Sequence, residues 1–328
     1  MKIEDGRDLS NANNTIVTIG DVNYLWGIFM LIASARKAGM EESFLVGVKG
    51  FDERAENVLK QLGGVKLVNL DGADRSLTCL KPKVMLKAET DFVTWADSDA
   101  FFTGDVSEIL PPANPDEIHF RLRTPPEMPA AFKGHSFGED GTKIPKAVLD
   151  VWRADIKEVA GDAAPESRYQ TSGSAAFASL SLKRHRRFLE IWDALEEKVL
   201  PKRNVGVVDR SLEFYHQLDE STLNACLNFV VDAPRVQGEF KMNKERGRLF
   251  VHFIAQPKPW MGWTKRAFRF FDDYVAVAAW AKEKGLELPG PIPPALKASR
   301  RTLARLMAPW TELKPKISRR MKKLFARG

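Results

Sequence analysis

The sequence predicts an α/β protein built on a mixed, mostly parallel sheet, with a basic helical extension at its C-terminal end. Three observations predict this. Short β-branched runs alternate with helical stretches of about ten residues through the first third of the chain, the pattern of crossover units. Glycine, proline and aspartate punctuate the boundaries between them. Charge is also partitioned along the chain. The formal net charge is +7, but residues 296–328 hold eleven Lys and Arg against the single acid Glu312. The preceding 295 residues therefore carry a net charge of −3. The high isoelectric point belongs to the tail, not to a nucleic-acid-binding body.

The elements follow in order. Thr15 to Ile19 reads as a strand that ends at Gly20-Asp21. Tyr24 to Ala38 reads as a helix stopped at Gly39. Phe44 to Val48 is a second strand, Glu53 to Leu62 a helix, and Val65 to Leu70 a third strand. Lys81 to Glu89 reads as a helix with Pro82 in its first turn, and Phe92 to Trp95 as a fourth strand. Further on come a strand at Glu117 to Leu122, a helix at Lys146 to Val159, a strand at Ala175 to Leu180 and an amphipathic helix at Lys183 to Lys198. Ser221 to Phe229 and Phe268 to Glu283 complete the helices, and Leu249 to Ile254 the strands. The first 285 residues are read as one domain, and residues 286–328 as a Pro-rich linker followed by the basic tail.

Composition bounds the function. With 328 residues, 44% hydrophobic and 28% charged, the chain can bury a core, and wholesale disorder is excluded. No apolar run has the length of a membrane helix, and the polar start, Met1 to Asn14, does not resemble a secretory leader. Cys79 and Cys226 alone build no disulfide scaffold, so a reducing compartment is expected.

Two local patterns carry chemistry. Ligands of such sheets bind outside the carboxyl ends of the strands, which places Gly20-Asp21 and Ala96 to Ala100 on the functional edge. There, Trp95-Ala96-Asp97-Ser98-Asp99 ends a hydrophobic strand with two carboxylates two residues apart. Such clustered acids are either a plain turn or a pair compensated by a hard divalent cation. The second pattern is His252 to Trp260, with Lys258 between two prolines. His252 alone reads equally as a core histidine. Joined to Asp97 and Asp99 it completes a mixed oxygen and imidazole set suited to Mn²⁺ or Mg²⁺, with Lys258 reaching for phosphate oxygens.

At these residues the sequence resembles glycosyltransferase family 8, which includes glycogenin and bacterial lipooligosaccharide galactosyltransferases. His252-Phe253-Ile254-Ala255-Gln256-Pro257-Lys258-Pro259-Trp260 resembles the family's late motif, with Ala255 where glycine is usual. Asp97-Ser98-Asp99 matches its metal motif. Asp219-Glu220-Ser221-Thr222-Leu223-Asn224 matches its Asp-Gln helix motif, with Glu220 in place of Gln. Val17 to Tyr24 resembles its first strand and loop, so the matches span about residues 15 to 265 in the family's order.

The resemblance implies a GT-A-type, Rossmann-like nucleotide-binding domain. It implies Asp97, Asp99 and His252 as metal ligands, with Asp97 and Ser98 also near the donor and Lys258 on the diphosphate. Thr18, Asp21, Asn23 and Tyr24 would hold the base, Tyr24 by stacking. Of Lys81, Lys83 and Lys87, Lys83 is favoured as the donor contact. Asp219 and Glu220 would flank the donor sugar. The alternative for this pair is a helix-terminal acid pair, with Asp219 or Ser221 as the cap. Thr171 to Ser174 reads as a sugar-touching turn or an ordinary one.

In the tail, Leu303, Leu306, Met307 and Trp310 share helical spacing, as do Ile317, Met321, Leu324 and Phe325. Arg319, Arg320, Lys322 and Lys323 flank the second set, the composition of a helix that lies on anionic lipid; the alternative is a C-terminal helix packed on the body with a solvated basic face. The expected protein is therefore a Mn²⁺-assisted, retaining transferase that moves a sugar from a UDP-sugar to a hydroxyl acceptor. The expected acceptor is a membrane glycolipid or lipopolysaccharide-type saccharide, and the expected location the inner face of the membrane, in the cytoplasm. A nucleotidyltransferase, a nucleotide-sugar hydrolase or a non-catalytic binding module are the alternatives.

Overall fold

Strand β1 (Asn14–Asp21) sits inside a seven-stranded sheet and is buried on both faces, as its continuous run of apolar and threonine residues requires. The structure, a computed structural model, describes residues 13–128, 142–206, 208–237, 249–254 and 256–311. A single 3-10 turn carries the chain from β1 into α1 (Leu25–Lys37). That helix stops at Gly39, whose φ of 88° is free of strain only for glycine. β2 (Ser43–Lys49), α2 (Glu53–Lys60) and β3 (Val65–Asn69) follow, with Asp52 Oδ1 capping α2 by accepting the Ala55 N–H at 2.7 Å.

α3 (Lys81–Met85) and β4 (Phe92–Ala96) complete the parallel half. Then come β5 (Ala100–Phe102), β6 (Glu117–Leu122), α4 (Lys146–Ala160), β7 (Gly173–Ser181) and α5 (Leu182–Val199). α6 (Asp219–Phe229), β8 (Arg235–Gln237), β9 (Phe250–His252) and α7 (Phe271–Glu283) close the body, and residues 301–311 form a terminal helix.

The strand order is β3-β2-β1-β4-β7-β6-β8. β7 runs antiparallel to both its neighbours, and every other pairing in the sheet is parallel. β5 and β9 form a separate antiparallel ribbon in which Ala100 faces His252. Two apolar layers cover the sheet. One packs α1 and α7 around Phe29, Phe101, Phe250 and Tyr274; the other packs α3 to α6 around Phe120, Trp152, Phe188 and Trp192. Each such side chain contributes about 1.5–3 kcal/mol on burial.

Several expectations are corrected. The helix from Lys81 ends at Met85, not Glu89, because the Lys87 and Ala88 N–H groups bond three residues back and tighten the last turn. The strand near His252 is only Phe250–His252, and the helix expected from Phe268 begins with a 3-10 turn, Ala267–Phe270. β5 and β8, each three residues long, were not foreseen. The acids of α6 lie within its first turn rather than before it, and neither Asp219 nor Ser221 is the cap. That position belongs to Leu218, buried at a φ of 48°, which costs a leucine on the order of 1 kcal/mol or more.

The stretch after α7 packs on the body. Arg54 pairs with Glu287 at 2.8 Å, Gln61 exchanges hydrogen bonds with the Glu287 backbone, and Leu296 is buried. The terminal helix is held by Thr311, whose hydroxyl donates to the Trp263 carbonyl at 2.6 Å, and by Arg301 on Asp272 at 2.8 Å. Among the described residues, no helix is long and apolar enough to cross a membrane. Ile317, Met321, Leu324 and Phe325 of the tail, and Ala255, lie outside the described residues.

Candidate active site

β1 and β4 are adjacent and parallel, so Asp21 and the Asp97 loop emerge at the same sheet edge. The Asp97 N–H donates to the Ala176 carbonyl of β7 at 3.0 Å, which fixes the loop as it leaves β4. The β5–β9 ribbon then returns His252 to this loop, and the Phe253 N–H donates to the Asp99 carbonyl at 3.0 Å. His252 Nε2 lies 3.0 Å from Asp99 Oδ1 and 3.4 Å from Asp97 Oδ2. Among the described residues, Asp97, Asp99 and His252 are the one group of three whose ligand atoms all lie within 4.8 Å of one another.

Two buried lysines flank this triad. Lys81 donates to Asp97 Oδ1 at 3.0 Å, to Asp219 Oδ2 at 2.7 Å and to the Ala175 carbonyl at 2.8 Å. Those bonds use all three of its ammonium protons. Burial opposes its charge, but Asp219 and Asp97 outweigh burial and hold Lys81 above the usual lysine range. Lys258 pairs with Asp99 and donates to the Phe253 carbonyl at 2.7 Å. Trp95 Nε1 adds a bond to Asp97 Oδ1 at 2.8 Å.

The electrostatics follow from these contacts. Burial works against the Asp99 carboxylate, yet His252 and Lys258 hold it well below the usual range. Burial likewise works against a charged His252, and Asp99 and Asp97 raise it in spite of that. Asp219 behaves differently: burial pushes it up to about 6 against the pull of Lys81, and Asp97 and Glu220 add to the rise.

Glu220, beside Asp219, has its own partner. Arg123 Nη2 lies 2.6 Å from Glu220 Oε1, while Nη1 donates to Ser172 Oγ at 3.0 Å and to the Gly173 carbonyl at 2.7 Å. The two amide groups of Asn224 and Gly173 also bond each other, at 2.6 and 3.1 Å, tying α6 to the start of β7. Gly173 has no room for a side chain: a Cβ there would sit 2.0 Å from the Phe120 ring. The site thus gathers four carboxylates, three permanent cations and one imidazole.

The structure brings together Asp97, Ser98, Asp99, Asp219, Glu220, His252 and Lys258. Tyr24 stands at their border. Its ring meets Trp260 edge-on at 5.7 Å, and burial, with Asp99 adding, raises its phenol. Asp21 accepts the Asn23 N–H at 2.9 Å, and Asn23 is exposed beside it. Two residues stand elsewhere. Thr18 is fully buried within β1, with no partner for its hydroxyl, so its side chain does not reach the cleft surface. Lys83 is exposed and faces Asp193 and Glu197; the lysine of α3 that reaches the site is Lys81. Helical geometry explains the exchange, since residues two apart lie on opposed faces. Arg123 was missed altogether, and its only signal was a basic residue at the carboxyl end of a strand.

The chemistry of this set fits a hard divalent ion. Two carboxylates and an imidazole converge, and the histidine would give up its proton on binding a metal.

No family model matches the sequence, and no curated protein matches it. Solved structures do. The chain is similar to the bifunctional glycosyltransferase WbbM in its apo form, with a TM-score of 0.52 and 16% identity over 82% of this chain. That match spans 50% of the WbbM chain, so this chain corresponds to about half of it. It is also similar to a Gln-to-Glu active-site variant of LgtC, with a TM-score of 0.50 and 15% identity over 81% of this chain and 95% of the other. The fold is therefore the GT-A fold of these glycosyltransferases: a mixed, mostly parallel sheet with helices on both faces.

Proposed function

We propose that the chain is a glycosyltransferase that moves a sugar from a UDP-sugar to a hydroxyl acceptor with retention of configuration. The observation that carries the reading is the convergence of Asp97, Asp99 and His252 at the carboxyl end of β4, in a GT-A fold. Asp97, Asp99 and His252 would hold Mn²⁺ or Mg²⁺. When bound, that ion supplies charge compensation for a departing nucleoside diphosphate. Asp21, Asn23 and Tyr24 border the donor at the end of β1, and Lys258 is the cation beside the diphosphate. Lys81 and Asp219 form one buried unit that orients the donor sugar from below. Glu220, paired with Arg123, faces the anomeric carbon and stabilises its positive charge as the bond to the diphosphate oxygen breaks. The electron pair leaves with the diphosphate, and the acceptor oxygen takes its place at carbon, giving its proton to the departing phosphate.

The terminal helix favours a membrane acceptor. Leu303, Leu306, Met307 and Trp310 are all exposed there, in a single stripe turned away from the docked Ala308 and Thr311. With basic neighbours, that stripe fits the surface of an anionic bilayer, and the acceptor would be a lipid-linked saccharide on the cytoplasmic face. The test is to incubate the protein with labelled UDP-sugars, Mn²⁺ and a lipid extract. Label that enters the lipid fraction only when extract is present supports the transferase. Release of free sugar without acceptor would favour the nucleotide-sugar hydrolase instead.

A further inference from the structure

An open cleft of about 160 Å³ borders the site on the side of β7. It meets the site at His252 and at Ser174 and Ala176 of β7, where the Asp97 N–H and Lys81 are also anchored. None of the residues assigned to the base or the diphosphate lines it, so a molecule in the cleft and a nucleotide can be bound together. Its floor is aromatic, from Phe177, Phe250 and Phe270. Its only charged lining side chains among the described residues, besides the His252 imidazole, are Arg121 and Arg266.

These arginines differ from the cations of the site. Lys81, Lys258 and Arg123 are all committed to carboxylates. Arg266 is exposed and makes no ion pair among the described residues. Arg121 shares its charge with Glu127 at 2.5 Å but remains partly open to solvent. The cleft therefore holds uncompensated positive charge over an apolar floor, next to a site rich in carboxylates. Guanidinium forks bind phosphate and carboxylate groups in paired hydrogen bonds, and aromatic faces take the apolar face of a sugar ring. The segment that supplies Arg266 also carries the terminal helix, through Trp263 and Asp272.

We propose that this cleft is the acceptor subsite, and that it selects a saccharide acceptor carrying an oxyanion, a phosphate or a carboxylate, bound by Arg266 and Arg121. The inference rests on the transferase reading. A neutral sugar leaves the Arg266 guanidinium without an ion-pair partner, so the charge is the discriminating feature.

The test uses the full chain saturated with UDP and Mn²⁺, into which glucose 6-phosphate, glucuronate, glucose and inorganic phosphate are titrated by calorimetry. Both charged sugars should bind at least about tenfold more tightly than glucose, the size of one charge-assisted hydrogen bond. Inorganic phosphate should bind more weakly than glucose 6-phosphate, because it lacks the ring. Arg266→Gln should erase the preference and leave UDP binding unchanged. The proposal is overturned if glucose binds as well as the charged sugars, if neither charged sugar binds, if inorganic phosphate matches glucose 6-phosphate, or if Arg266→Gln keeps the preference. Failure of the parent to bind UDP with Mn²⁺ would remove the transferase reading itself, and this inference with it.

Discussion

Arg123 and Glu220 show how a single pair sets the charge of the site. Each side chain is only 15% exposed, and they meet at 2.6 Å. Removing the arginine leaves a mostly buried carboxylate without its partner. Arg123→Gln should therefore cost about 2–3 kcal/mol of stability, and the double variant with Glu220→Gln should regain most of that. Denaturant midpoints of the three variants measure it; a double variant as unstable as the sum of the singles would contradict the pairing. Glu196 gives a second prediction. It is fully buried, accepts from the Thr222 hydroxyl at 3.2 Å, and has a second oxygen with no partner. Burial, with Asp219 adding, raises its pKa well above the ordinary 4.5. The folded protein then keeps a proton that the unfolded chain loses, so the stability from this group is complete below pH 4.5 and declines as pH rises. The slope is about 1.4 kcal/mol per pH unit until the folded pKa is reached. Glu196→Gln carries no titrating proton, so its melting temperature relative to the parent should rise between pH 4.5 and pH 8. An equal difference at both pH values would show that Glu196 is not held protonated.

Among the elements, α1 bears directly on the site. A Cβ at Gly27 would lie 2.4 Å from the Ser98 carbonyl and 2.6 Å from the Trp260 ring. The helix therefore touches the Asp97–Asp99 loop and the end of the His252–Trp260 motif through a bare backbone. Gly27→Ala should push the two apart, costing about 1–3 kcal/mol in stability and weakening Mn²⁺-dependent UDP binding. Unchanged affinity with a lowered melting temperature would limit the contact to packing. Much of this scale was legible in the sequence. β1, β2, β4 and β6 stand out as β-branched or aromatic runs bounded by Gly, Asp or Pro, and their positions match within a residue or two. The direction of β7 was not legible, because Gly173–Ser181 is a run of small and apolar residues that reads the same in either orientation. β5 was too short for its period to register, although it is the strand that brings His252 to Asp99. The choice between Lys81 and Lys83 needed the positions of Asp97 and Asp219, which no local pattern supplies.

At the scale of the whole molecule, charge and shape divide the chain into a slightly acidic body and a basic tail, bound together along residues 286–311. Leu306 and Trp310 are 65% and 62% exposed on the terminal helix. The double variant Leu306→Ser with Trp310→Ser should weaken binding to phosphatidylglycerol vesicles by about tenfold or more, since each apolar side chain contributes about 1.5–3 kcal/mol on burial. UDP binding should not change, and vesicle binding as strong as the parent's would remove the membrane role of the helix. The metal motif, the late histidine motif and the acid pair of α6 were visible as separate strings of letters, and the fold unites them at one sheet edge. The central claim is that this edge binds a nucleoside diphosphate through a divalent ion held by Asp97, Asp99 and His252. Calorimetric titration of UDP into the protein tests it most directly, with Mn²⁺, with excess chelator, and again with the Asp99→Asn variant. UDP should bind with Mn²⁺ and lose at least about tenfold in affinity with chelator or in the variant. Equal UDP affinity in all three titrations, or none in any, would contradict the account.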